Sequence, residues 1–117
     1  MLLRSVGFGR EELGNRKFDY IWAFQVFYHL EDDLVDSCLA EIKRRLNLEG
    51  KCFVNVNATT PPGRWKEFPF IKKELNFYTE MAIKHDLKPQ VLGQLKDFGY
   101  TDKVPGYYHH MLCFSHG

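Results

Sequence analysis

No apolar run in this chain approaches the roughly 20 residues that a membrane-spanning helix needs. Met1-Leu2-Leu3-Arg4-Ser5 also lacks the long apolar core of a secretory leader. These absences predict a cytoplasmic protein with no membrane partner. An excess of one charge is missing too: 16 Lys+Arg stand against 15 Asp+Glu, a formal net charge of +1. That balance removes the footprint of a non-specific nucleic-acid binder, so nucleic acid is not an expected partner. Cys38, Cys52 and Cys113 are odd in number, widely spaced and set in apolar stretches, which suits reduced, packed thiols better than a disulfide framework. With no internal repeat, low-complexity tract or linker, the length supports one domain over residues 1–117, with a poorly defined lead-in over 1–17.

Aromatic residues are abundant: ten Phe, six Tyr and two Trp, 15% of the chain. Phe18 to Phe24 (Phe-Asp-Tyr-Ile-Trp-Ala-Phe) shows no polar alternation and predicts a parallel strand covered on both faces. Glu31 to Leu46 then reads as a helix. Leu34, Val35, Cys38, Leu39, Ile42 and Leu46 recur at three- and four-residue spacing, acids fill the first turns, and Lys43-Arg44-Arg45 closes the last. Asn47 to Gly50 is expected to end that helix, and Lys51 to Asn57 to form a second strand, completing a βαβ unit. Ala58 to Pro69, with Pro61-Pro62-Gly63 inside it, reads as a long loop. A second helix from about Ile71 to Asp86 carries Leu75, Tyr78, Met81, Ala82 and His85 broadly on one side and is stopped by Pro89. Gln90 to Asp97 and His110 to Ser115 then read as strands, with a turn-rich link over Gly99 to Gly106.

Phe18-Asp19-Tyr20-Ile21-Trp22-Ala23-Phe24-Gln25-Val26-Phe27-Tyr28-His29-Leu30, then Leu39 to Leu46, then Gly50-Lys51-Cys52-Phe53-Val54, strongly resembles part of a class I S-adenosylmethionine-dependent methyltransferase. The stretch looks like that family's fourth strand, the helix after it and the fifth strand. Phe77-Tyr78, His85-Asp86-Leu87, Phe98-Gly99-Tyr100 and the terminal strand look like the last helix and closing antiparallel hairpin. The resemblance covers about residues 18–116. It implies an α/β fold: a partial Rossmann-like methyltransferase sheet, with parallel strands, a C-terminal antiparallel hairpin and two main helices. It also implies S-adenosylmethionine as cofactor, and direct attack of an acceptor on its activated methyl group. The family's glycine-rich cofactor turn and the acidic residue of its second strand have no counterpart here. Gly7-Phe8-Gly9 is the local candidate, but Asn15 to Lys17 cannot hold the strands and helices that should follow it.

Ligands of open parallel sheets bind beyond the carboxyl ends of the strands. This selects Gln25, Phe27, Tyr28 and His29 after the first strand, Asn57 and the segment to Arg64 after the second, and residues 107–110 before the last. By resemblance, the Gln25–His29 loop faces the methionine part of the cofactor and the acceptor, with Phe27 and Tyr28 as an apolar or cation-attracting wall. For Tyr28 and His29 the competing role is to seat the loop on the next helix, and for His29 that role weighs more. Asp19 reads as a loop-fixing residue. His109, His110, His116 and Cys113 lack paired zinc spacing, and adjacent histidines on a strand diverge, so no metal is expected. Lys66, Lys72, Lys73, Lys84 and Lys88 interleave with acids and read as a solvated face.

Two functional expectations follow. The first is a truncated or split methyltransferase-like protein, inactive as an isolated chain and completed by a complementary protein half. The second is a non-enzymatic α/β module for self-association or partner binding, with no cofactor. Without the family's first strand, the Phe18 strand becomes a hydrophobic sheet edge, which predicts a homodimer or higher oligomer through residues 18–28.

Overall fold

Phe18–Ala23 forms a strand, β1. The computed structural model describes residues 16–23, 26–27, 30–58, 63–65, 68–70, 72–99 and 109–117, with 63–65 and 68–70 as backbone only. Gly7-Phe8-Gly9, Phe24, Ile71 and residues 100–108 lie outside the described residues. No residue of β1 is buried, and Tyr20 and Trp22 are 68% and 63% exposed. The expectation of cover on both faces therefore fails for this strand. Its aromatic composition reflects a face that stands open.

Asp32–Arg45 forms α1, with Asp32 and Asp33 in the first turn and Lys43, Arg44 and Arg45 in the last, each sign at the helix end whose dipole attracts it. The expected ends Glu31 and Leu46 are its two caps. Glu31 acts through its backbone, its carbonyl accepting from Val35 N at 2.9 Å. Val35, Cys38, Leu39 and Ile42 are buried as expected. Leu34 is 44% exposed, because its place in the first turn leaves it in solvent, while further along the helix the buried face also takes in Glu41 and Arg45. Those two long side chains lie one turn apart, with Arg45 Nε 3.5 Å from Glu41 Oε2, so each offsets the other's buried charge.

Leu46, the C-cap of α1, is already extended, and β2 runs Leu46–Val56 without an intervening turn. Asn47 to Gly50 thus belongs to the strand rather than to a helix stop. The cause lies in how β1 meets β2. The parallel register runs Phe18↔Leu46, then Tyr20↔Lys51 to Ala23↔Val54, so β2 bulges opposite Asp19. Asn47 Nδ2 donates to Asp19 Oδ1 at 2.7 Å across that irregularity, which makes Asp19 a fixing residue. Gly50 fits the same place because a Cβ there would lie 2.8 Å from Leu46 Cδ1 and 3.0 Å from the carbonyl oxygens of Phe18 and Asp19.

Where a loop was expected from Ala58 to Pro69, Gly63–Trp65 (β3) and Phe68–Phe70 (β4) pair as a short antiparallel hairpin. The second helix, α2, is shorter than its periodicity suggests, Leu75–Lys84, with Tyr78 and Ala82 buried. It ends at His85 and a left-handed Asp86, φ 58°, rather than at Pro89. Pro89 lies inside β5 (Leu87–Gln94), an edge strand, where a missing N–H costs no ladder bond on the solvent side. A bulge between Val91 and Gly93 and a 3₁₀ turn at Leu95–Phe98 follow, so the strand starts and stops three residues earlier than its composition suggests. His110–His116 forms β6.

Among the described residues the main sheet has the order β1-β2-β6-β5: β1 parallel to β2, and β6 antiparallel to both of its neighbours. The register places Cys52, Val54 and Val56 of β2 with Leu112 and Phe114 of β6 on one face. There they join Val35, Cys38, Leu39 and Ile42 of α1 and Tyr78 and Ala82 of α2 in a single core. Both helices therefore cover the same face. The opposite face carries Tyr20, Trp22, Lys51 and Phe53, and further in the buried Asn55, Met111 and Cys113. This is a mixed α/β fold with a parallel unit and an antiparallel closing pair.

Candidate functional site

The carboxyl ends of β1 and β2 and the start of β6 lie at the same end of the sheet, since Ala23 pairs with Val54 and Val56 with His110. Phe27, just beyond β1, is fully buried, its ring centroid 6.4 Å from those of both Tyr78 and Phe114. It anchors the loop in the core rather than forming an open wall. Gln25, Tyr28 and His29 lie outside the described residues, as does the side chain of Arg64. Asn57 is buried, and its carbonyl accepts from Lys73 N at 3.1 Å, holding the approach to α2 against the end of β2.

His109, from the selected stretch 107–110, and Asn55, outside the selected set, join this end. Asn55 Nδ2 lies 3.1 Å from Nδ1 of His109, and both side chains are buried. An amide N–H can only donate, so Nδ1 is the acceptor and the His109 proton sits on Nε2. His109 was reached only as part of the stretch 107–110. Asn55 carried one signal, a polar residue alternating with Val54 and Val56 in an otherwise apolar strand. The His109 carbonyl also accepts from Leu95 N at 2.8 Å, tying the 3₁₀ turn to the start of β6. The neighbouring His110 has its pKa lowered by burial, partly opposed by Asp97. His116 lies at the other end of β6, bonded to Lys43 and to the Leu46 carbonyl.

Two recesses flank α1. At its N-terminus an open one of about 530 Å³ is lined by Glu31, Asp32, Asp33 and Lys73, with Lys73 Nζ 2.9 Å from Asp32 Oδ1 and 5.0 Å from the Phe77 ring centre. Beside β1 an apolar cleft of about 260 Å³ runs between the strand and the Cys38, Glu41, Ile42 and Arg45 side of α1. The thiols offer no nucleophile: burial pushes Cys38 up to about 12, with Glu41 adding to it, and also raises Cys52 and Cys113.

The described residues do not by themselves fit S-adenosylmethionine. Gly50 is wedged against β1, Gly93 sits in a bulge and Gly99 ends the 3₁₀ turn at φ 93°, so none of these belongs to a glycine-rich turn between a strand and an α-helix.

No protein-family model matches the sequence, and no curated protein matches it. Solved structures do match. A TehB-like SAM-dependent methyltransferase from Corynebacterium glutamicum superposes with a TM-score of 0.58 at 21% identity, covering 90% of this chain and 50% of its own. The 1,6-didemethyltoxoflavin-N1-methyltransferase of Burkholderia thailandensis, with bound 1,6-didemethyltoxoflavin and S-adenosylhomocysteine, gives 0.62 at 18% identity, covering 89% and 46%. A pericyclic reaction enzyme gives 0.60 at 17%, covering 87% and 27%. This chain spans about half the length of the first two and about a quarter of the third. The pericyclic enzyme shows that the shared fold does not fix the reaction. The chain has a partial methyltransferase-like fold.

Proposed function

We propose that this chain is a truncated or split part of an S-adenosylmethionine-dependent methyltransferase, carrying the strand ends that face the methionine portion of the cofactor and the acceptor. It is inactive alone and is completed by a complementary protein half in the cytoplasm. The observation that supports this most is the order β1-β2-β6-β5, with parallel and antiparallel pairings that superpose over most of this chain on part of known methyltransferases. Asn57, Asn55 and His109 offer amide and imidazole groups at the end of the sheet where open α/β folds bind ligands. Gln25, Tyr28, His29 and Arg64 complete the proposed contact set by their place in the sequence. What the chain contributes is orientation of groups and exclusion of water.

Calorimetric titration of S-adenosylmethionine into the purified chain tests the reading. Because the chain supplies only part of the site, weak but saturable binding below millimolar cofactor, lost on Asn57→Ala, is expected. No heat up to millimolar cofactor overturns it in favour of a non-enzymatic α/β module for self-association. That second reading draws on one specific observation, the exposed aromatic rings of β1.

A further inference from the structure

Edge strands of soluble proteins are normally blunted by lysine, proline, inward charge or a covering segment. β1 has little of this. Among the described residues it pairs only with β2, and its one charged residue, Asp19, is engaged by Asn47. Tyr20 and Trp22 stand open on the face away from the helices, Trp22 stacked on Phe53 at 4.7 Å between ring centres. Ile21 and Ala23 line the apolar cleft on the helix side.

We propose that β1 pairs antiparallel with β1 of a second copy of this chain, across a two-fold axis perpendicular to the sheet and passing through Ile21.

The register follows from symmetry and chemistry. A two-fold perpendicular to the sheet preserves its faces, so paired residue numbers must have an even sum. Within the six residues of β1, two such registers overlap most of the strand. Centring on Tyr20 sets the Asp19 carboxylate against Ile21 of the partner subunit, on the side of the apolar cleft. Centring on Ile21 sets Asp19 against the small Ala23 of the partner subunit. It also makes Tyr20 and Trp22 oppose each other reciprocally and brings the two Ile21 side chains together beside the clefts. Aromatic cross-strand pairs stabilise such ladders. Tyr20 and Trp22 present on the order of 300 Å² per copy. That is more than a third of the roughly 800 Å² per partner of a standard interface, and the strand backbone and cleft rim, including Phe18 and Val26, add to it. A net charge of +1 leaves little repulsion between copies. The pairing uses the border that a complementary half would also occupy, so the two assemblies exclude each other on one molecule.

Light scattering coupled to gel filtration at tens of micromolar full-length chain should give twice the monomer mass. Trp22→Lys and Tyr20→Lys, which alter exposed side chains, should give monomers with unchanged circular dichroism. Ile21→Cys provides a second readout: antiparallel partners sit about 4.5–5.5 Å apart at Cα, within disulfide reach. Mild oxidation should therefore link most of that variant into covalent dimer, with wild type staying unlinked because its three thiols are buried. A wild-type monomer overturns the proposal. So does a dimer that survives both lysine variants, or an Ile21→Cys dimer that does not cross-link.

Discussion

The Asp36 carboxylate of α1 lies 2.8 Å from Nε2 of His85, the residue that ends α2, and Lys84 Nζ reaches the same oxygen at 3.1 Å. Few other contacts join the two helices directly, so this tie sets how α2 lies on the core. The His85 bond, and then Lys84, hold the Asp36 carboxyl below its usual 3.8. A lowered carboxylate pKa contributes stability that is present above about pH 4 and lost as pH falls toward the folded value. Thermal melts of wild type and Asp36→Asn should differ between pH 5 and 7, and the difference should shrink as pH falls below about 4. A gap unchanged at pH 3 contradicts the tie.

Tyr78 is fully buried, and its hydroxyl has no hydrogen-bond partner among the described residues. Burial, with Asp32 adding to it, pushes the phenol up to about 12. Removing an unsatisfied buried hydroxyl while keeping the ring should leave stability equal or higher by about 1 kcal/mol, so Tyr78→Phe should resist urea at least as well as wild type. The raised pKa adds a second expectation: above about pH 10, where the unfolded phenol ionises, wild type loses stability that Tyr78→Phe retains.

Gly50 sits where any Cβ meets backbone from β1 and the Leu46 side chain. Overpacking of this kind costs about 1–3 kcal/mol, so Gly50→Ala should lower the urea midpoint and increase hydrogen exchange of the β1 amides. An unchanged midpoint would mean that β1 is not held at this distance from β2.

The chain end is stitched by His116. Its Nε2 lies 2.7 Å from the Leu46 carbonyl and its Nδ1 2.9 Å from Lys43 Nζ, while Lys43 also donates to the Asp86 carbonyl at 3.0 Å. The tautomer with its proton on Nε2 satisfies both neighbours. His116→Ala should cost about 1–2 kcal/mol by chemical denaturation. His116→Gln, whose amide also donates and accepts, should recover part of that loss.

The order of the main elements was readable wherever a period was strong. The i, i+3, i+4 stripe of α1 and the apolar run of β1 placed both to within a residue. The start of β2 was hidden because Asn47, Glu49 and Gly50 read as a helix stop, whereas the bulge opposite Asp19 needs those residues in a strand. Leu34 misled because its spacing fits the stripe while its place at the helix start leaves it in solvent. At the candidate site, Asn57 was legible as a polar residue ending an apolar strand. The Asn55–His109 bond was not, since it joins residues 54 apart that meet only through β2–β6 pairing. Phe27, lying in sequence between Gln25 and His29, gave no local sign that its ring would fill the core.

The two borders of the sheet are unlike. On the β5 side, Pro89 has no N–H to donate and the Val91–Gly93 bulge breaks the regularity of the strand, so another strand finds a poorer template there. β1 is regular from Tyr20 to Ala23. Among the described strands of the main sheet, strand addition thus has one regular border, and the proposed pairing would occupy it in both copies. One receptive border and one closed border would limit the proposed pairing to a finite pair, where two receptive borders would seed an endless fibre.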